Sequence, residues 1–532
     1  MTSARLRSRP GVDTRQLADL SAAHAVYGCL VREVGLPAGD TTVLDGCAHL
    51  LLRHLDVSLR CAVTRVSPLG AHRYDGPVQR MTDGNRWEDV DADALAGLAA
   101  AELTARTGLA NDEFVGQVRA SRDTVARLLA DRPAWDPTPT SDAAIDAYVD
   151  SEQSLVHGHP HHPAPKWRSG DPDRWQGYAP ELRTAFRLRW LAVPDDLVAG
   201  DGPFDALVAA LDPPPSPAGH RVLPVHPWQL SLIPPTYPGL RDLGEGGVEV
   251  RPTASVRTVY APDADLFVKT SLHVRITNCL RKNARYELTG AVALTDLLAQ
   301  VPMPDGVGLL AEPAYRTVDV AGADEAYGTI LRTGLRPHLR PGDTPILAAA
   351  LAAAPLAVPD PVTWWREYVE LLVPAVLHCW LGHGVVHEAH LQNVVVVLDS
   401  ARRPVRMLLR DLEGVKLDTG RWTSWPDGVP PQVGYDARSA RRRVVYCLFV
   451  NHLAGLCGAL ADAWPGIEPR LWRELRAVVA AVAADLDDPP ELRALLDGEP
   501  LVAKANLLVR WRRAADRAAP FVSVPNPLAG PR

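Results

Sequence analysis

The sequence predicts an α+β protein in three parts. A helical N-terminal part spans residues 1–145, a mixed, β-rich middle spans 146–340, and a mainly helical C-terminal part spans 341–532 and carries one functional β-hairpin. Three observations carry this. Apolar residues at helical spacing recur toward both ends, as Phe114, Val118, Val125, Leu128 and Leu129 behind the N-cap candidate Asn111, and again from Trp364 to Leu381. From Val248 to Val274 the pattern changes to β-branched runs, VEVRPTASVRTVY and LFVKT, with a turn at Pro262–Asp265. Val394–Leu398 and Val405–Leu409 read as two more strands, joined by the turn Asp399–Pro404. Pro-rich breaks at 132–141 (RPAWDPTPTS) and 335–345 (LRPHLRPGDTP) lie near the boundaries, and DPPPSPAG at 212–219 reads as a loop inside the middle part. Long helices follow from Arg438 onward.

Composition narrows the function classes. A chain of 532 residues is too long for one core and should hold two or three domains. With 47% apolar and 22% charged residues it reads as an ordinary soluble globular protein, and a net charge of −7 leaves no electrostatic footprint for nucleic acid. The most apolar tract, Ile346–Val358, is too short to span a bilayer and is interrupted by Pro355, so no membrane partner is expected. The basic start MTSARLRSRPG is not followed by an apolar h-region, so no signal peptide is expected. Seven scattered cysteines with no CxxC pair predict reduced, buried thiols and a cytoplasmic protein.

The most informative stretch is HGVVHEAHLQN at 383–393, with RDLEG at 410–414. It places Glu388, His390, Gln392 and Asn393 just before the hairpin's first strand, and Asp411 and Glu413 just after its second. The hairpin brings both clusters to one open end. Carboxylates with an amide oxygen suit a hard cation such as Mg²⁺, which usually arrives with nucleotide phosphates, so Asn393, Asp411 and Glu413 are the candidate metal ligands. Glu388 lies five residues before Asn393, the spacing of a kinase catalytic Asp to its Asn, which makes a small-molecule kinase the first rival reading.

The middle part supplies cations. Arg251, Arg257, Lys269, Arg275, Arg281, Lys282 and Arg285 lie within one short span against only Asp263 and Asp265. Within PTASVRTV, Ser255 and Arg257 would share one face of a strand, with Thr258 on the other and Lys269 returning near Thr258. Hydroxyls, a guanidinium and an ammonium make a phosphate clamp, since Arg binds bidentately and Lys acts as a point charge. Thr277, Asn278 and Arg281 fall within about one turn and could hold a carboxylate. Two histidine groups, HGHPHH at 157–162 and His383, His387 and His390, raise a metal-handling or ferric-siderophore-binding module as the second rival. HEAH is not HExxH, however, and Gly382 and Gly384 disfavour a zinc-binding helix. In HPWQ, His226 and Gln229 are either site-lining or ordinary loop groups.

Together these segments resemble the IucA/IucC family, the NRPS-independent siderophore synthetases. Eight blocks occur in the family's order: HPHHPAPKWRSG at 159–170, YAPE at 178–181, HPWQ at 226–229, TASVRTV at 253–259, KTSLHVRITNCLR at 269–281, HEAHLQN at 387–393, RDLEG at 410–414 and YCLFVNHL at 446–453. The resemblance implies a hand-like fold of thumb, fingers and palm, with the thumb at 1–145, the fingers at 146–340 and the palm at 341–532. It implies adenylation of a carboxylate, usually citrate, followed by attack of an amine or hydroxyl, with ATP and Mg²⁺ required and a homodimer as the assembly. Carried over, Ser255, Arg257, Thr258 and Lys269 would hold ATP phosphates. Gln392, Asn393, Asp411 and Glu413 would face nucleotide and Mg²⁺. Thr277, Asn278, Arg281 and His390 would hold the carboxylate, with Glu388, His159 and Lys166 nearby. His390, Arg281 and Lys269 would carry the catalytic burden. Which of His159, His161 and His162 faces the site stays open, and TNCLR looks more like members that use free citrate.

Overall fold

The computed structural model describes residues 13–84, 86–134, 142–515 and 518–529. The basic N-terminal stretch and most of the 132–141 break therefore lie outside the described residues.

The α+β class holds, but the N-terminal part is not mostly helical. Helices Thr14–Leu30, Ala92–Thr107 and Phe114–Asp131 pack on a five-stranded antiparallel sheet built from residues 41–90. The cause is visible in Cys47–Leu52, where Ala48, Leu50 and Leu52 are buried and their neighbours are not. That two-residue period covers one face of a sheet and leaves the other in water. Asn111 lies just outside its helix, where its side chain accepts from Glu113 N–H at 3.1 Å.

The middle part is an eight-stranded sheet. Thr258–Ala261 and Leu266–Thr270 are adjacent antiparallel strands joined at the expected turn, and their register puts Thr258 directly opposite Lys269. Thr329–Thr333 lies on the other side of Leu266–Thr270 and places Arg332 opposite Phe267.

In the C-terminal part, Val394–Leu398 and Pro404–Leu409 form the predicted hairpin. It sits in a four-stranded sheet whose outer members are Val307–Leu309 and Thr344–Leu347. Val307–Leu309 thus crosses the 340 boundary and pairs in parallel with Pro404–Leu409. Alternate hairpin residues go to different cores: Val394, Val396, Met407 and Leu409 pack with Trp365, Tyr368 and Leu372 of the helix Pro361–His383. Val395, Val397 and Leu408 meet Tyr148, Tyr260 and Phe267 of the middle part. The hairpin is buried between two layers, which fixes the aim of its open end. The continuous helical run Ala437–Ala463 is long and apolar enough to cross a membrane, but 83% of its apolar window is buried inside the fold, as a core helix would be.

Candidate active site

Lys269 is the centre of the first half of the site. It is 1% exposed, and its ammonium meets Asp411, Glu413 at 2.9 Å and Glu312 at 3.9 Å. Arg257 donates to Glu413 Oε1 at 2.8 Å, to the Lys282 carbonyl at 3.1 Å and to Asn283. Arg332 bridges Glu312 and Asp411, donating at 3.0 and 2.8 Å. Three cations therefore face three carboxylates. Burial alone would push the Asp411 carboxyl up, but Lys269 and Arg332 hold it well below the usual carboxylate range; for Glu413, Arg257 and Lys269 likewise outweigh burial. Asp411 reaches this position with φ of +74°, in the left-handed region that Asp tolerates better than most residues.

Arg257, Lys269, Asp411 and Glu413, all expected at the site from the sequence, are brought together by the fold. Glu312 and Arg332 were missed. Each lies in a run that reads as plain strand or loop, and only the three-dimensional register joins them to Lys269.

Ser255 and Arg257 do not lie on a strand. They occupy a tight loop between Arg241–Pro252 and Thr258–Ala261, in which Val256 has φ of +68° and Thr258 N–H donates to Ser255 Oγ at 3.1 Å. Burial of Val256 against Trp228, Leu272 and Val274 compensates for its disfavoured backbone and swings the chain so that Arg257 points at Glu413.

The stretch before the hairpin wraps on itself. Asn393 N–H donates to the His390 carbonyl, and Asn393 Nδ2 donates to the Glu388 carbonyl at 3.2 Å, which leaves its amide oxygen for another partner. Gln392 N–H donates to His390 Nδ1 at 3.2 Å, so the neutral ring carries its proton on Nε2. Burial lowers the His390 pKa against the pull of Glu388 and Asp411, so the ring is a neutral donor near pH 7. Arg410 grips the Gln392 carbonyl at 2.7 Å and Tyr148 at 2.7 Å. Glu388 pairs with Arg443 and lies so close to Gly414 that a Cβ there would come within 2.5 Å of Glu388 Oε2.

The second half of the site is built differently. Thr277 and Asn278 form the turn of the hairpin Leu272–Ile276 and Cys279–Arg281, not one turn of helix, and Thr277 has φ of +54°. Arg281 Nη2 comes 3.5 Å from Thr277 Oγ1. Arg510, 3% exposed, donates to the Thr277 carbonyl and stacks over Trp167 at 4.7 Å. Among the described residues, Arg275, Arg281 and Arg510 form no ion pair. The halves touch through the chain itself, because Lys282, whose carbonyl accepts from Arg257, follows Arg281.

Of the three candidate histidines, His159 is the one that reaches the 387–393 loop: its Nε2 lies 2.9 Å from Asn451 Nδ2, and Asn451 Oδ1 accepts from Leu391 N–H at 3.2 Å. His162 packs beside Asn278 and Arg510, and His161 lies behind His159 with ring centroids 6.1 Å apart.

Lys166 is not brought to the site. Its ammonium and Arg168 are bound in a buried triad with Glu181, at 2.5 and 2.7 Å, where desolvation would leave either cation costly without that carboxylate. His226 and Gln229 are structural too. His226 Nδ1 caps the helix Pro227–Leu232, and Gln229 accepts from His273 N–H and donates to the Ala326 carbonyl.

Two carboxylates and a free amide oxygen fit a hard cation such as Mg²⁺. Among the described residues no group of three or more His, Cys, Asp or Glu side chains is arranged to hold a metal, so such a cation would complete its shell with phosphate oxygens or water.

Residues 147–353 match the IucA/IucC family model. Over that segment the chain is similar to the IucA/IucC family. Residues 362–519 match a second model, described as a ferric iron reductase FhuF-like transporter. The rhizobactin siderophore biosynthesis protein RhbC of Rhizobium meliloti (strain 1021) is 28% identical over 87% of this chain and 89% of that protein. The L-2,3-diaminopropanoate–citrate ligase of Staphylococcus aureus (strain NCTC 8325 / PS 47) is 27% identical over 73% and 76%. The fold matches that of ATP-bound aerobactin synthetase IucA from a hypervirulent pathotype of Klebsiella pneumoniae, with a TM-score of 0.79, 21% identity, and 96% of this chain and 100% of that one covered.

Proposed function

We propose that this chain is an ATP-dependent siderophore synthetase of the IucA/IucC family. It adenylates a carboxylate, with citrate as the candidate, joins it to an amine or hydroxyl, and releases AMP and pyrophosphate. The observation that carries the reading is the junction of two cationic groups of different character: the Arg257–Lys269–Arg332 cluster, and next to it Arg275, Arg281 and Arg510, which form no ion pair among the described residues. Relatives named as citrate ligases and siderophore biosynthesis proteins supply the substrate class.

In this reading Lys269 and Arg257 leave Asp411 and Glu413 to hold the phosphates, and the freed carboxylates with Asn393 would hold Mg²⁺, which would neutralise phosphate charge. Arg281 and the turn at Thr277 hold the carboxylate, and His390 donates Nε2–H to it. The carboxylate oxygen attacks the α-phosphorus and pyrophosphate departs. Attack by a carboxylate on a polyphosphate needs the two anions screened from each other, and fixed cations provide that without reorganisation. The amine or hydroxyl then displaces AMP from the acyl group. No side chain here need act as a covalent nucleophile. The family reading also carries a cytoplasmic homodimer, which light scattering on purified protein would check.

The test is a panel of carboxylates and amines with Mg·ATP, following products. Citrate-dependent AMP and pyrophosphate support the reading. ADP as the sole product would instead make the chain a kinase, and no turnover across the panel would remove the synthetase reading.

A further inference from the structure

Behind the 387–393 loop the helix that begins at Ala437 changes its winding. Val445–Leu453 is π-helical, with Ala454 N–H bonded back to the Phe449 carbonyl. The i→i+5 winding turns each residue by less than the roughly 100° of an α-helix, so two consecutive side chains can reach one neighbouring segment. Here they are Asn451 and His452. Asn451 Oδ1 accepts from Leu391 N–H at 3.2 Å, and His452 Nδ1 donates to the Ala389 carbonyl at 3.0 Å. These two backbone groups flank His390. His452 is itself fixed, fully buried, by Tyr368 Oη at 2.5 Å, and the other side of the Asn451 amide lies 2.9 Å from His159 Nε2. A π-turn is poorer in hydrogen-bond geometry than the α-helix on either side and is retained most often where it serves a site.

We infer that the π-turn is a positioning device: Asn451 and His452 hold the backbone on both sides of His390, and Asn451 ties that loop to His159, so that both histidines face the carboxylate together. Asn451 is a positioning residue here, acting through its neighbours. The kinetic part of this inference rests on the synthetase reading above; the backbone grip does not.

The experiment uses full-length protein with Asn451→Ala and Asn451→Asp. Asp keeps the acceptor for Leu391 N–H and places a carboxylate oxygen, in place of the amide nitrogen, against His159 Nε2. Hydrogen–deuterium exchange should quicken at least tenfold at Leu391 in the Ala variant, remain near the unsubstituted rate in the Asp variant, and stay unchanged in the hairpin 394–409. In steady-state kinetics the Ala variant should raise the carboxylate KM at least tenfold with the ATP KM within twofold, and the Asp variant should recover part of that loss. Unchanged exchange at Leu391 in the Ala variant, or exchange that quickens across the whole C-terminal part, overturns the grip. Equal rises in both KM values overturn the positioning role. If the unsubstituted enzyme turns nothing over, the synthetase reading fails while the exchange data still decide the grip.

Discussion

Around Lys269 every cation meets a carboxylate, Arg257, Lys269 and Arg332 against Glu312, Asp411 and Glu413. Around Arg281 the cations Arg275, Arg281 and Arg510 meet none among the described residues. The first cluster is neutral as it stands and must exchange partners to take phosphates. The second carries standing positive charge that only an anionic ligand offsets. Balanced burial makes the first a stability element as well as a site, because removing one member strands the rest in a low-dielectric interior. The second can lose Arg281 with little structural consequence and a direct loss of affinity, whereas its buried member Arg510 also holds the Thr277 carbonyl.

Substitution separates the two most sharply at Lys269. Lys269→Ala leaves Glu312, Asp411 and Glu413 facing one another with two cations, and should cost about 3–5 kcal/mol of stability, the scale of a broken buried pair, together with all turnover. Thermal unfolding and activity measured together check it; an unchanged Tm would show that Lys269 is not what balances the cluster.

Arg281→Ala breaks no ion pair, so Tm should barely move. Apparent carboxylate affinity should fall about ten- to a hundredfold, from loss of a charged hydrogen bond worth roughly 1.5–3 kcal/mol, while ATP affinity changes much less. Equal losses for both ligands would merge the two clusters into one site.

The boundary between them lies at His390 and Asp411. Asp411→Asn should weaken the metal-dependent step and be partly rescued by extra Mg²⁺. His390→Ala should depress adenylation at any Mg²⁺ concentration and be helped more by extra carboxylate. Paired Mg²⁺ and citrate titrations on both variants, with Tm alongside, show whether the rescues cross; matched losses without crossing would reduce both residues to hairpin braces.

Away from the site, in the Lys166–Arg168–Glu181 triad, the effect falls on stability alone. Burial opposes the Glu181 charge, but Arg168 and Lys166 outweigh it and bring its pKa from 4.5 to about 2. Its depressed folded-state pKa means that its contribution is present above pH 4.5 and is lost as pH falls from 4.5 toward 2. Glu181→Gln should therefore lower Tm at pH 7 and flatten the Tm profile between those values; a parallel, uniformly lowered profile would mean that the charge is not what matters there.

How much of this was legible in the sequence follows from physical locality. The hairpin at 394–409 and the Thr258–Lys269 pairing could be read because they join neighbouring runs across a short turn. The sheet over residues 41–90 was missed because its strands are buried on one face only, and charged residues on the other hide the alternation. The Ser255–Arg257 loop breaks a local rule, since a β-branched residue at positive φ is held there only by burial supplied from distant chain. Glu312, Arg332 and Arg510 carry no local signal at all. Lys166 shows the converse: a basic residue within a family block reads as functional until the fold supplies its carboxylate partner.

The segment around Leu501–Lys504 and Asn506–Trp511 reaches back through the molecule. Its amides at 507 and 508 are held by Glu33, Asn506 donates to the His161 carbonyl, Arg510 holds Thr277, and Asn111 holds the Arg510 and Trp511 carbonyls. Leu501–Lys504 also pairs with the later strand Phe521–Val524, but each partner just named precedes the segment in the chain. A chain that stops short of residue 506 therefore lacks the contacts that join the histidine loop to the Arg281 hairpin.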